Sequence, residues 1–435
     1  MTSAAPAVTK ASETQSRRSW KTVILASLGG SLEMYDFIIY GVFAAEISRQ
    51  FFPSNDPLIS LISAFGVFAV GYASRPLGGI VLSSLGDRFG RRGVLLVSVF
   101  AMSISTIAVG LTPGYASIGI AAPILLIIFR FSQGFFLAGE LPCAITYVVE
   151  EVPKRGGFVT GVVIFCAIAG ILVATIVSLI IHSVMPAADV DAYGWRIAFG
   201  LGGVIGIASY WVRTSLEESQ EFQKMRSHVA KRPFRQLLRS HPAQIAVAIG
   251  VAAIVNGSNS LLFVVLPSYF SRVLHYSADS LSVAQNAGIA AMAVSLFFFA
   301  WLSDAVPARL IHRVGAGLIL LGSIPLYEGL ISHNISLLTM FIVLGMVGGF
   351  VNGTYGYLLA DLFPTQIRFS GVALSLNLAT AFFTGMTPLI VTQLLKWTGS
   401  LTAPAMYAVT CAAIALIAGF FVKRYSGNIT HKNQI

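Results

Sequence analysis

Glu33, Asp36 and Tyr40 stand in an otherwise apolar run, residues 22–45. Their spacing of three and then four places all three on one face of a helix. A second apolar run, 123–148, carries Arg130, Gln133, Leu137 and Glu140, again on one face. An acid at the centre of a membrane helix costs about 2.5–3.5 kcal/mol, so its presence asks for a reason. A buried carboxyl beside a guanidinium favours the ion, and one left alone favours the neutral acid. Such a group can take up a proton and give it back. The plain alternative is a permanent ion pair that fixes two helices together. Glu33 suits either a second proton site or a bond to helix backbone. Glu140 lies close to Pro142, where a broken helix would leave backbone groups in need of partners.

Other polar residues sit at comparable depth. Arg75, just before Pro76, can bind a carboxylate with two parallel bonds, snorkel, or pair with Asp36. The second half of the chain offers Asn256 and Asn259 in one apolar run, Asn352 and Tyr355 in another, and Asn377, Thr380 and Thr384 in a third. These are candidate contacts for a small solute, as are Tyr40 and Gln133. Amides and hydroxyls in apolar helices also bond across helices or to their own backbone.

The surrounding chain sets where such groups can be. Of 435 residues, 56% are hydrophobic and 11% charged, and the mean hydropathy is +0.79. A soluble chain would carry about 25% charged residues. Twelve apolar segments are predicted: 22–45, 58–82, 93–111, 123–148, 157–181, 195–213, 243–270, 281–302, 310–331, 336–360, 370–394 and 403–422. Each is long enough to cross a bilayer as a helix. With the N-terminus inside, 22 of the 28 Lys and Arg residues fall in inner segments and three, Arg49, Arg272 and Lys396, in outer loops. Positive charge marks the cytoplasmic side, so both termini are expected there. The net charge of +10 is therefore topological, and nucleic acid is excluded as a partner. The predicted organisation is an N-terminal tail 1–20, a six-helix bundle 21–213, a charged central loop 214–242, a second bundle 243–422 and a tail 423–435. The central loop reads as an amphipathic or solvated helix at the inner membrane face. Cys143, Cys166 and Cys411 lie in apolar runs without metal-ligand spacing. Scattered histidines and the absence of a phosphate-binding loop leave no metal site, no cofactor and no enzyme in view. The energy source is expected to be an ion gradient.

The two bundles carry internal similarity. Glu150-x-x-Pro153 recurs as Asp361-x-x-Pro364, 211 positions later. Asp87, in Gly86-Asp87-Arg88-Phe89-Gly90-Arg91-Arg92, has a counterpart in Asp304, 217 positions later. The second copy has lost the glycine and the double arginine, so the halves are expected to gate unequally. The first copy reads as a tight aqueous loop. Asp87 can accept bonds at a helix N-terminus. Arg88, Arg91 and Arg92 can pair with Glu150, Glu151 or Asp361, and Arg368 stands nearby in sequence. Such ties would hold the inner side shut; topogenic charge alone is the simpler account.

The segments SLEMYDFIIYG (31–41), RPLGG (75–79), GDRFGRR (86–92), RFSQGFFLAGE (130–140), WRIAF (195–199) and LFPTQIRFSG (362–371) together resemble the metabolite:proton symporters of the major facilitator superfamily. That group includes proline/betaine, citrate, α-ketoglutarate and shikimate carriers. The resemblance implies an all-α membrane protein of twelve helices in two pseudo-symmetric bundles, working as a monomer in a bacterial inner membrane. It implies that helices 1 and 4 line a central cavity, with Asp36 carrying the coupling proton and Arg130 as its partner. The expected function is proton-coupled uptake of a carboxylate-bearing metabolite. An organic acid is the first choice, with Arg75 and Arg130 as cationic anchors. A proline/betaine-type osmolyte is the alternative, and a proton-driven exporter a further one.

Overall fold

The computed structural model describes residues 20, 23–28, 30–31, 34–54, 57–215 and 233–429. Glu33 lies outside the described residues, as do both terminal tails up to 19 and from 430, and most of the central loop. The architecture is helical throughout the described chain. Helix α1 comprises the stretches 23–28, 30–31, 34–42 and Ala44–Phe51. It is followed by α2 (Pro57–Phe89), α3 (Arg91–Leu111), α4 (Ala121–Glu151), α5 (Gly156–Val184) and α6 (Trp195–Arg213). After a short helix, Pro233–Ser240, come α7 (Pro242–Ser260, continuing to Arg272), α8 (Ala278–Leu302), α9 (Ala308–Ile331), α10 (Leu337–Asp361), α11 (Arg368–Ala379, continuing to Thr398) and α12 (Ala403–Tyr425). Val97, Leu179, Val294, Leu321 and Ile417 are among many large apolar side chains that face outward. Only hydrocarbon suits such a surface.

The supposed loop at 86–92 is almost entirely helical. The break between α2 and α3 is the single residue Gly90, at φ 115°, a conformation only glycine adopts without strain. Likewise α4 runs unbroken through Pro142.

The repeat seen in the motifs is also a packing repeat. In the first half α2 crosses α4, and a Cβ on Gly134 would lie 1.9 Å from the Gly71 carbonyl oxygen. In the second half α8 crosses α10, and a Cβ on Gly345 would lie 2.1 Å from the Gly288 carbonyl oxygen. Gly71 and Gly288 are 217 apart, Gly134 and Gly345 are 211 apart, the same offsets as the motifs. Backbones this close exclude any side chain, which is how helices gain contact when lipid offers no hydrophobic drive. The halves meet where α2 packs on α11 and α5 on α8 and α10.

Candidate functional site

The face carrying Arg91 and Lys154, called the basic face here, is where the halves are tied. Glu150, at the end of α4, sits 3.0 Å from Arg91 and 3.2 Å from Arg368. Asp87 lies 3.6 Å from Arg91 and accepts a 2.9 Å bond from the backbone N–H of Ser370 in the first turn of α11. All four charged side chains are buried. The expected gate therefore gathers Asp87, Arg91, Glu150 and Arg368. Arg92 donates to the Thr214 carbonyl just after α6. Two assignments need correction. Arg88 is exposed and stacks on Phe89. Asp361 takes bonds from the backbone N–H groups of Gly427 and Ile429, beyond α12, rather than from the loop arginines. The second copy keeps a contact across the halves of its own. Asp304 accepts bonds from the backbone of Gly157 and Phe158 at the start of α5, at 2.9 and 3.2 Å.

Between the bundles lies a cavity of about 110 Å³. The N half lines it with Phe37, Tyr72, Arg75 and Leu137, the C half with Asn256, Asn259, Phe263, Tyr355, Asn377 and Thr380. Two π-helical turns, Leu261–Val265 in α7 and Thr380–Gly385 in α11, border it. Such turns free backbone groups where function needs them. Here Gln285 donates to the Leu262 and Phe263 carbonyls, and Ser260 to that of Thr384. Asn256 accepts from the hydroxyls of Thr380 and Thr384. The amides of Asn259 and Asn352 pair with each other, and Asn377 reaches across to the Ala138 carbonyl. A larger, mostly apolar cavity of about 250 Å³ lies inside the C half, between α7, α9 and α10.

The Arg75 guanidinium stands 4.8 Å from the Phe37 ring centre and 4.9 Å from that of Tyr72. Arg130 lies near the same aromatic cluster, 4.3 Å from Tyr40, 5.0 Å from Phe37 and 5.6 Å from Phe68. It is fully buried and absent from the cavity wall. Tyr40 and Gln133 accompany Arg130 and likewise do not line the cavity, which corrects their assignment as solute contacts. Asp36 is buried too, and its link to Arg130 is indirect. Arg130 donates to Gln133, Gln133 to Thr106, and the Thr106 hydroxyl to Asp36. Glu140 is not part of this chain of bonds. It is ion-paired at 2.7 Å with Arg213, which also donates to the Leu25 and Ala26 carbonyls of α1. Thr106 and Arg213 were not singled out from sequence. A lone threonine in α3 carries no signal there, and Arg213 reads as topogenic charge at a helix end.

Two six-helix bundles tied at one face around a central cavity that carries a few polar groups define a membrane transporter. A model of the Major Facilitator Superfamily matches residues 26–377, and the chain belongs to that superfamily. It is 32% identical over 426 residues to the glycine betaine/proline/ectoine/pipecolic acid transporter OusA of Dickeya dadantii, covering 93% of this chain and 83% of that one. It is 32% identical over 423 residues to a proline/betaine transporter of Escherichia coli, with the same coverage of 93% and 83%. Among solved structures, the proton:xylose symporter XylE bound to 6-bromo-6-deoxy-D-glucose shares the fold at a TM-score of 0.81. It is 16% identical over 94% of this chain and 96% of that one.

Proposed function

We propose that this transporter takes up a compact zwitterion of the betaine or proline type, driven by the proton gradient. The observation that carries this reading is the make-up of the central cavity. It offers one guanidinium, Arg75, together with aromatic faces from Phe37, Tyr72, Phe263 and Tyr355. A single carboxylate pairs with the guanidinium. A quaternary or secondary ammonium rests on aromatic faces. The amides of Asn256, Asn259 and Asn377 complete the wall. The names of the relatives support the same class. The organic-acid expectation loses ground because it relied on two cations. Arg130 does not line the cavity, which leaves it with one.

Coupling falls to Asp36, which is buried beside the cavity yet outside its wall. A proton on Asp36 neutralises the one charge that Arg130 answers through Gln133 and Thr106. The basic-face ties at Glu150 and Asp87 then determine which side is open. The protein is a monomer in a bacterial inner membrane, with the basic face and both termini cytoplasmic. The proton gradient is the only energy source, without a cofactor.

The experiment is transport into liposomes under an inward proton gradient, with radiolabelled betaine, proline, ectoine, citrate, α-ketoglutarate and shikimate. Betaine or proline accumulation that a protonophore collapses supports the reading. Accumulation of citrate or α-ketoglutarate alone restores the organic acid. Efflux under the opposite gradient, with no uptake, makes the protein an exporter.

A further inference from the structure

We infer that Thr106 and Gln133 are positioning residues that carry the protonation state of Asp36 to Arg130. This rests on Asp36 being the coupling acid, as proposed above. The direction of every bond in the link is fixed by chemistry. A guanidinium has donors only, so Gln133 must present its carbonyl oxygen to Arg130, at 2.9 Å. Its amide N–H₂ is then left to donate to the Thr106 oxygen, also at 2.9 Å. The Thr106 hydroxyl hydrogen is free for the Asp36 carboxylate. Every donor points from the cation toward the anion. Bonds aligned head to tail polarise and strengthen one another.

Protonation reverses the last link. A neutral Asp36 carries the new O–H bond on its carboxyl and donates it to the Thr106 oxygen. The Thr106 hydroxyl turns instead to the Met102 carbonyl, 3.0 Å away and already within reach. Two donors, from Asp36 and Gln133, now meet on one oxygen, and the anion that ended the chain is gone. The Arg130–Gln133 bond stays, but the chain no longer ends on an anion, so it is less polarised and holds Arg130 less tightly as α4 moves. When the proton leaves, the head-to-tail chain reforms and draws Arg130 back. The other Asp36 oxygen, Oδ1, has no hydrogen-bond partner among the described residues. It faces Gly202 of α6, where a Cβ would come within 2.6 Å. Among the described residues no hydrogen bond on that side competes with the link.

The charged and titratable groups around Asp36 are Arg130 and Glu140 of α4 and Tyr35 beside it on α1. Arg75 and Tyr72 of α2 act on Arg130, and both guanidiniums lie near the Phe37 ring. Thr106 on α3 and Gly202 on α6 are uncharged. Glu140 is occupied by Arg213, so the hydroxyl link is the path of hydrogen bonds from Asp36 to a cation.

The test uses the full-length protein in liposomes, with three variants and the probe that accumulates in the wild type. Thr106→Val keeps the shape and removes the hydroxyl. The ionised carboxylate then loses a donor, and the external pH of half-maximal uptake rises by about one unit. The accumulation ratio falls, while exchange of labelled for unlabelled solute at equal pH continues. Gln133→Leu breaks the link at its other end and gives the same loss of accumulation with exchange retained. Thr106→Ser restores the wild-type pH profile. A wild-type pH midpoint and accumulation ratio in Thr106→Val overturns the inference. If Thr106→Val does not fold, wild-type behaviour of Gln133→Leu overturns it instead. Full accumulation by Asp36→Asn removes Asp36 as the coupling acid, and with it this link, while the proposed uptake of a zwitterion stands or falls on the accumulation assay itself. Loss in Asp36→Asn with no effect of the other two variants sinks the link alone.

Discussion

Asp87 and Asp304 are placed alike: each accepts backbone hydrogen bonds at the first turn of a helix in the opposite half. Asp87 receives Ser370 of α11, and Asp304 receives Gly157 and Phe158 of α5. An anion at a helix N-terminus meets both free N–H groups and the positive end of the helix dipole. Both contacts cross the seam that must part if the basic face is to open. The two-fold repeat is thus preserved where backbone is the partner. It is lost where side chains are, since among the described residues the Arg91–Glu150–Arg368 cluster has no counterpart at Asp304.

Asp304→Asn and Asp87→Asn should therefore open the basic face to a similar degree. Each removes a charge–dipole contact of about 0.3–1 kcal/mol, rising to ~2 kcal/mol where partly buried. Labelling of a cysteine placed in the closed seam should speed up by roughly 2- to 30-fold in either variant. An unchanged rate in Asp304→Asn would show that the second copy has no part in closure.

Glu150 bridges two guanidiniums, so Glu150→Gln should act more strongly than either aspartate variant. It leaves Arg91 and Arg368 buried side by side without their shared carboxylate, and breaking a buried pair costs about 3–5 kcal/mol. The expected state is open at the basic face, with labelling at its maximum and net uptake lost. Closure of the seam at wild-type level would remove Glu150 from the gate.

Arg75 should decide affinity rather than coupling. Its guanidinium is held between Phe37 and Tyr72 at the cavity wall. Lysine supplies charge without a planar fork or a stacking face. Arg75→Lys should raise the KM for betaine or proline about tenfold, consistent with the loss of ~1–2 kcal/mol of cation–π and bidentate contact. The ratio of protons to solute should stay the same. An unaltered KM would place the carboxylate elsewhere in the cavity.

Glu140 and Arg213 should matter for stability and for the seating of α1. Removing Arg213 alone, as Arg213→Met, leaves a buried carboxylate and exposes the loss of two carbonyl contacts on α1. The cost of about 3–5 kcal/mol should appear as a sharply lower Tm in detergent. The double variant with Glu140→Leu should recover much of it, because a buried pair is often replaceable by apolar packing. Proton-driven accumulation that is lost in Glu140→Gln but recovered by no stabilising change would instead return Glu140 to the coupling step.

Much of this protein could be read from its residues in order. Apolar runs of bilayer length are local, so helix positions followed from composition, and α3 and α6 end at residues 111 and 213 as expected. Motif spacing gave the repeat, because a duplicated chain keeps its register wherever its helices must cross backbone to backbone, as at Gly134 and Gly345. Buried charge drew attention to Asp36, Arg75 and Arg130, because hydrocarbon penalises ions wherever they fall. What sequence could not supply was the pairing of those charges. Arg130 and Asp36 are 94 positions apart, and Glu140 and Arg213 are 73 apart. Which cation answers which acid depends on how α1, α3, α4 and α6 rotate against one another. A turn of one residue on a helix, 100°, moves a side chain from the cavity to the core. That rotation kept Arg130 out of the cavity wall and recruited Thr106, and it gave Glu140 to Arg213. It is fixed by side-chain packing over the whole bundle, which no single stretch of sequence contains.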